Sequence, residues 1–405
     1  DCLLSRGLGD VYKRQYMDNA ATTSTAPEVV SAMLPFFTEY YGNPSSVYNF
    51  AQKSKMAIED AREIIADSIG AAKSNEIYFT GGGSESDNWA LKSAAFGLRD
   101  KGNHIITTKI EHHAILNTCA YLEKNGFEVT YLDVDSEGFV SLEDVENAIT
   151  EKTILISVMF ANNEIGTIEP VCEIGEIAHK HGILFHTDAV QAMCHVPINV
   201  TEMNIDLLSA SAHKFHGPKG VGFMYMKNSA KLEPFIHGGA QERARRAGTS
   251  NVPGIVGMGQ AVKLALSTLD KDTHTIINMR NYIVDRILGE IPDVTFDGPC
   301  IDANAVSAGS PAGSLKRLPS NMHFCFKDVS GDSLLIMLDM NGICASSGSA
   351  CAAGSIDPSH VLLAIGRSKG ETKGALRLSI DKDLTKEDAD YAIDALKAAV
   401  ARLRR

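Results

Sequence analysis

The sequence predicts an α/β protein, with a large domain on a mostly parallel central sheet and a smaller α+β domain. Short apolar runs alternate with amphipathic helical stretches through the first half of the chain, the pattern of βαβ units. The order then changes to a long helical region, followed by two strands each succeeded by a helix. Five of the strands end in polar or glycine-rich signatures, and open parallel sheets bind ligands at the carboxyl ends of their strands.

The opening string "DCLLSRGLGDVYKRQ" (Asp1 to Gln15) has no clear period and no apolar stretch followed by a small-residue cleavage site. No secretory signal is therefore expected here; a non-native leader without function is expected over 1–15, with the chain's own initiator region missing. Between Ser45 and Gly70, Ala57, Ile58, Ala61, Ile64 and Ile65 recur on one helical face. "EIYFT" (Glu76 to Thr80) reads as a strand closed by Gly81-Gly82-Gly83, with a helix from Ser84. Strands "HIITTK", "EVTYLDV", "TILISVMFA" and "ILFHTDA" follow, separated by a helix to Asn125 and helices from Leu142 and Val171. "IDLLSASA" and "VGFMYMK" are two further strands. After Asn251 one helix is expected to about Leu269 and another from Thr273 to Ile291. Strand "NMHFCFK", helix "GDSLLIMLDMNG", strand "ALRLSID" and a helix from Thr385 to Arg404 complete the chain. The expected division is 28–264 for the large domain, with 16–27 and 265–405 forming the small one.

The 405 residues exceed what one small core needs, and 44% hydrophobic with 22% charged residues is ordinary for a soluble globular protein. A formal net charge of −12 argues against nucleic acid as a direct partner, and "QERARRAG" (Gln241 to Gly248) is the best local basic stretch. No continuous apolar run approaches the roughly 18–20 residues of a membrane span, so no membrane partner is expected. Eight irregularly spaced cysteines without a CxxC suggest neither a disulfide framework nor a zinc ribbon, which fits a reducing cytoplasm.

Several stretches have chemistry to offer. "TGGGSESDN" is a strand, a glycine turn and a helix start, where free amides, the helix dipole and Ser84 could cradle a phosphate. A tight turn with Ser84 as helix cap explains it equally well. In "SASAHKFHGPKG", Lys214 follows a strand and is flanked by Ser211 and His213; it is either a solvated lysine or an amine able to form a Schiff base. Asp188 in "FHTDAVQ" either caps the next helix or holds a pyridine nitrogen protonated. His112 and His113 adjoin without an HExxH, which disfavours a metal site and favours a ring laid over a cofactor. In "FANNEIG", Asn162 and Asn163 would suit an Asx-turn.

"ICASSGSACAAGSIDPSH" (Ile343 to His360) raises a sharper question. Residues Ala345 to Ala352 are all small, so Cys351 lacks the large apolar neighbours of a core cysteine. Small side chains and Gly348 suit a segment that carries a thiol between two places. Cys119, Cys172, Cys194 and Cys325 read as helix or strand fillers, and Cys344 as buried at a strand.

Taken in order, "YMDNAATT", "YGNPSS", "FTGGGSESDN", "EHHAIL", "NNEIG", "HTDAVQ", "SAHKFHGPKG", "HGGAQERARRAGT", "SSGSAC" and "ALRLSI" resemble the cysteine desulfurases of the nitrogenase-associated and iron–sulfur-cluster type. Those are fold-type-I, class V aminotransferase-like enzymes dependent on pyridoxal 5′-phosphate, and the resemblance runs from Tyr16 to the last helix. It implies that Lys214 holds the cofactor as a Schiff base. Gly83, Ser84, Ser211 and His213 would bind its phosphate, and Thr249 would reach the phosphate of a partner subunit in a homodimer. Asp188 would pair with the pyridine nitrogen, Gln191 with the ring hydroxyl, and His112 would stack on the ring and move protons. Asn163 and Arg377 would bind the carboxylate of L-cysteine, and Cys351 would take its sulfur as a persulfide. A sulfur-acceptor protein, either an iron–sulfur scaffold or a tRNA-thiolation protein, is the implied partner. "SSGSAC" resembles the long-loop group of the family, whereas "GGGS" departs from the small-Gly-Ala-Thr common at that turn while keeping its donors. A selenocysteine lyase, another class V lyase or aminotransferase, and a cofactor-binding sulfur-relay protein without turnover are the alternatives.

Overall fold

The computed structural model describes residues 14–230, 232–301, 315–348 and 358–405. Its main sheet has seven strands: β2 (Ile77–Thr80), β3 (His104–Thr108), β4 (Glu128–Leu132), β5 (Thr153–Ser157), β6 (Leu184–Asp188), β7 (Leu207–Ser211) and β8 (Gly222–Met226). They lie in the order β2-β8-β7-β6-β5-β3-β4, and only β8 runs against the rest. Every residue of β3, β5 and β7 is buried, as a sheet covered by helices on both faces requires. One face packs against the helices Asn49–Ser68 and Val171–Lys180, the other against Gly83–Gly97 and His113–Glu123. Because β2, β3, β5, β6 and β7 point the same way, their carboxyl ends share one edge of the sheet. All five polar signatures follow those ends.

A second core forms on a three-stranded antiparallel sheet, β12-β10-β9, of β9 (Val294–Phe296), β10 (Asn321–Phe326) and β12 (Ala375–Ser379). The helices Gly331–Met340 and Lys386–Leu403 cover it, the latter capped by Thr385. In register, His323 of β10 stands opposite Arg377 of β12, so the two side chains emerge on one face. A two-stranded parallel pair joins β1 (Gln15–Tyr16) to β11 (Ile343–Cys344).

Four sequence expectations change. Val252–Glu290 is one 39-residue helix, not two, and its buried residues serve both cores: Ile255 and Met258 the first, Ile283 and Ile287 the second. Its most apolar 18-residue window has a mean hydropathy of 1.2, enough for a span by composition, because part of the helix is buried in the cores it serves. Gln15, assigned to the leader, is buried in β1, its amide donating to Asp388 Oδ1 at 3.4 Å. Cys172 is exposed in its helix, and Cys194 sits in a turn at φ 65°, outside helix and strand. The basic stretch is also taken up by the fold: Arg243 donates to the carbonyls of Asn75 and Ile77, Arg245 to Leu232, and Arg246 forms a pair with Glu85.

Candidate active site

A cavity of about 210 Å³ opens at the shared strand edge. Ten of the expected site residues line it: Gly83, Ser84, His112, Asn163, Asp188, Gln191, Ser211, His213, Lys214 and Arg377. Thr249 is exposed and lies outside it. Cys351 falls outside the described residues.

One wall is the amino end of the helix Gly83–Gly97, where first-turn amides lack partners within the helix. The approach depends on glycine. A Cβ on Gly83 would lie 2.5 Å from Val190 Cγ2, and one on Gly222 would lie 2.4 Å from Ala210 O and 2.8 Å from Gly82 Cα. Gly82 itself has φ 150°, a backbone that disfavours side chains. The turn is thereby drawn against Ser211 at the end of β7, and Ser84, Ser211 and His213 line the cavity beside it. Burial, then the nearby Lys214 and Lys219, push the His213 imidazole down to about 4, so at neutral pH it offers an N–H without charge.

Asp188 closes β6, buried, with Oδ1 accepting the Val190 amide at 2.9 Å. Burial raises its carboxyl, opposed by His112, that amide and Lys214. His112 caps the helix His113–Glu123: its Nδ1 accepts the Ala114 amide at 3.1 Å. Burial lowers its basicity, so the ring is neutral, and with Nδ1 accepting, its proton sits on Nε2. Lys214 ends a short 3₁₀ turn after β7, and its Nζ donates to Ala20 O at 2.6 Å and Ala21 O at 2.8 Å. Gln191 donates to the same Ala20 carbonyl at 3.0 Å.

Asn162 makes the Asx-turn, its Oδ1 accepting from Glu164 N at 2.8 Å and Ile165 N at 3.0 Å. That turn leaves Asn163 facing the cavity. Arg377 is 1% exposed. It pairs with Asp18 Oδ1 at 2.8 Å and donates to Asn163 O at 2.9 Å. Its Nε is buried without a partner among the described residues, leaving donor capacity for an incoming carboxylate.

Sequence reasoning assigned no role to Asp18, to the carbonyls of Ala20 and Ala21, or to Asp87, which also lines the cavity. All but Asp87 come from "YMDNAATT", a stretch whose chemistry is mostly main chain and which shows no side-chain signal of its own. Ser379 accounts for its placement: its carbonyl accepts Asn19 N, and its Oγ accepts Ala20 N at 2.8 Å.

A lysine, a buried carboxylate and a helix amino end thus meet at the strand edge of an α/β sheet. The chain belongs to the aminotransferase class-V family, whose model matches residues 15–392. Within it, the chain falls among the cysteine desulfurases. It is 54% identical over 392 residues to the cysteine desulfurase IscS of Clostridium botulinum strain Hall, covering 97% of this chain and 96% of that one. Among solved structures, a NifS-like protein superposes with a TM-score of 0.87 at 36% identity, over 96% of this chain and 100% of that one. A protein solved as SspA in complex with cysteine gives 0.77 at 38% identity, over 91% and 99%.

Proposed function

We propose that this site removes sulfur from L-cysteine, leaving L-alanine, with Cys351 as the sulfur acceptor and an iron–sulfur scaffold or tRNA-thiolation protein as the onward recipient. The observation that carries the reading is the convergence of Lys214, Asp188, His112 and Arg377 on one cavity beside the Gly83–Ser84 turn.

The residues fit pyridoxal 5′-phosphate. A cradle that a Cβ would fill, with two serine hydroxyls and a neutral imidazole beside it, suits the phosphate. Asp188 offers a buried carboxylate to the pyridine nitrogen, Gln191 an amide to the ring hydroxyl, and Lys214 the amine. Bound there, the cofactor would supply an electron sink for bonds at the substrate's Cα and Cβ.

This chain's own groups do the rest. Arg377 and Asn163 hold the substrate carboxylate, Arg377 through N–H groups that Asp18 and the Asn163 carbonyl leave free. The Lys214 amine takes the Cα proton, and His112 exchanges a proton through Nε2. The Cys351 thiolate attacks the substrate sulfur as the Cβ–S bond breaks. Cysteine plus enzyme thiol thus becomes alanine plus enzyme persulfide, with no outside oxidant or reductant. The role of Cys351 rests on "SSGSAC" and its small neighbours.

With L-cysteine and a reductant, the wild-type protein should release alanine and sulfide in equal amounts. Cys351→Ala should form no persulfide, and Lys214→Ala no alanine. Sulfide release by Cys351→Ala at the wild-type rate would refute the assignment. If Thr249 binds a phosphate as the resemblance implies, its exposed position outside the cavity puts that phosphate in a second copy of the chain. A homodimer follows, and sedimentation of the cofactor-loaded protein as a monomer would exclude it. A cytoplasmic setting goes with the six cysteines among the described residues, all unbridged.

A further inference from the structure

Asp87 sits in the first turns of the helix Gly83–Gly97, 1% exposed, against the same cavity, and the reaction above leaves it without a task. Its Oδ1 has no hydrogen-bond partner among the described residues. The basic group paired with it is His186, with Nε2 3.8 Å from that oxygen. His186 supplies no counter-charge. Burial pushes its imidazole down to about 3, and its two ring nitrogens meet Ser157 Oγ at 2.9 Å and Ser209 Oγ at 3.0 Å.

On the cavity side, an Asp87 oxygen, an Asp188 oxygen and a His112 nitrogen lie within 4.8 Å of one another. Glu111, a further buried carboxyl that burial also raises, bears on Asp87 as well. Two carboxyls so placed, away from water, do not both ionise, and one keeps a proton. The surroundings decide which. Asp188 has the Val190 amide, His112 and Lys214 to support a charge. Among the described residues the support for a charge on Asp87 is the Ser209 hydroxyl, set against burial first and then Asp188. The proton belongs on Asp87 and the charge on Asp188.

We propose that Asp87 is a positioning residue, a protonated carboxyl beside Asp188 that leaves Asp188 the single negative charge turned toward the pyridine nitrogen. An ionised Asp87 would oppose ionisation of Asp188, whereas a neutral one adds no competing charge and can donate a hydrogen bond. The proposal rests on the reading of Asp188 given above.

Infrared difference spectra of the cofactor-free protein, wild type minus Asp87→Asn, test the proton directly. A carbonyl stretch of a protonated carboxylic acid should be lost in Asp87→Asn, and lost again in Asp87→Ser. Asparagine keeps the shape and neutrality of the acid. Asp87→Asn should therefore bind pyridoxal 5′-phosphate within about threefold of wild type, with an unchanged pH profile of the bound cofactor's absorption. Asp188→Asn should lose affinity by about tenfold or more, the scale of a lost charge-assisted contact. Absence of the infrared band, or an Asp87→Asn variant as impaired as Asp188→Asn, would overturn the proposal. If Asp188→Asn bound the cofactor normally, the Asp188 reading would fail and the role of Asp87 with it, whatever the band showed about its proton.

Discussion

Arg377 shows how one side chain can be both structural and receptive. Buried between Leu376 and Leu378 on β12, its guanidinium is oriented by Asp18 and the Asn163 carbonyl, and its Nε is left over. A lysine at this position would keep the charge but lose the planar fork and at least one oriented donor. Arg377→Lys should therefore lower kcat/KM for cysteine about 10- to 100-fold, equivalent to one charged hydrogen bond, chiefly through KM. Steady-state kinetics of alanine formation would check it, and an unchanged KM would remove Arg377 from the substrate. The sequence marked this arginine through the resemblance that "ALRLSI" carries. It did not mark Asp18, which lies 359 residues away along the chain and meets Arg377 only because the segment after β1 runs beside β12.

The helix Val252–Glu290 is the element where local reading and outcome part most clearly. Its sequence turns polar at Asp270, Lys271 and Asp272, which reads as a break. Those residues contain no helix breaker, and Asp272 is held by Thr268 Oγ1 at 2.6 Å and Lys382 Nζ at 2.7 Å. The helix therefore continues across the change of core. Its close approach to Asn49–Ser68 is set at Gly259, where a Cβ would meet Ala61 Cβ at 2.8 Å and Ala61 Cα at 3.0 Å. Alanine in place of glycine improves helix propensity by up to about 1 kcal/mol. Overpacking two helices typically costs about 1–3 kcal/mol, so the clash should win. Gly259→Ala is expected to lower the urea midpoint, and a midpoint equal to or above wild type would show that the two helices part freely.

At the scale of the molecule, buried ionisable groups set opposing pH limits on stability. Burial lowers His186 to about 3 in the folded protein, against ~6.5 when unfolded. Below pH ~6.5 the unfolded chain takes up a proton that the folded one refuses, so this contribution is lost as the pH falls toward about 3. Glu169 is the reverse case: burial raises it to about 8, against ~4.3 when unfolded. Its contribution is present at low pH and is lost as the pH rises from ~4.3 through about 8. Each group contributes a slope of up to about 1.4 kcal/mol per pH unit, and where the windows overlap the two cancel. Glu169→Gln should flatten the decline in stability between pH 6.5 and 8 and, by removing the cancelling slope, steepen the rise between about pH 4.3 and 6.5. Denaturant titrations across that range would read the difference, and parallel curves for the two proteins would contradict it.

Much was legible without coordinates. Runs of Val, Ile and Leu at strand length, alternating with helical periods, predict a parallel sheet, and glycine, lysine and aspartate at its strand ends mark the cavity. Those are local signals, written into neighbouring residues by backbone sterics and burial. Tertiary structure alone decided the distant partnerships: Asp18 with Arg377, the Ala20 and Ala21 carbonyls with Lys214, Asp87 beside Asp188, and one helix shared by two cores. For the helix, the reason is that two separate apolar cores claim its two ends; for the charged pairs it is electrostatic. The energy of a buried charge depends on which groups surround it in space, and chain order does not encode those surroundings.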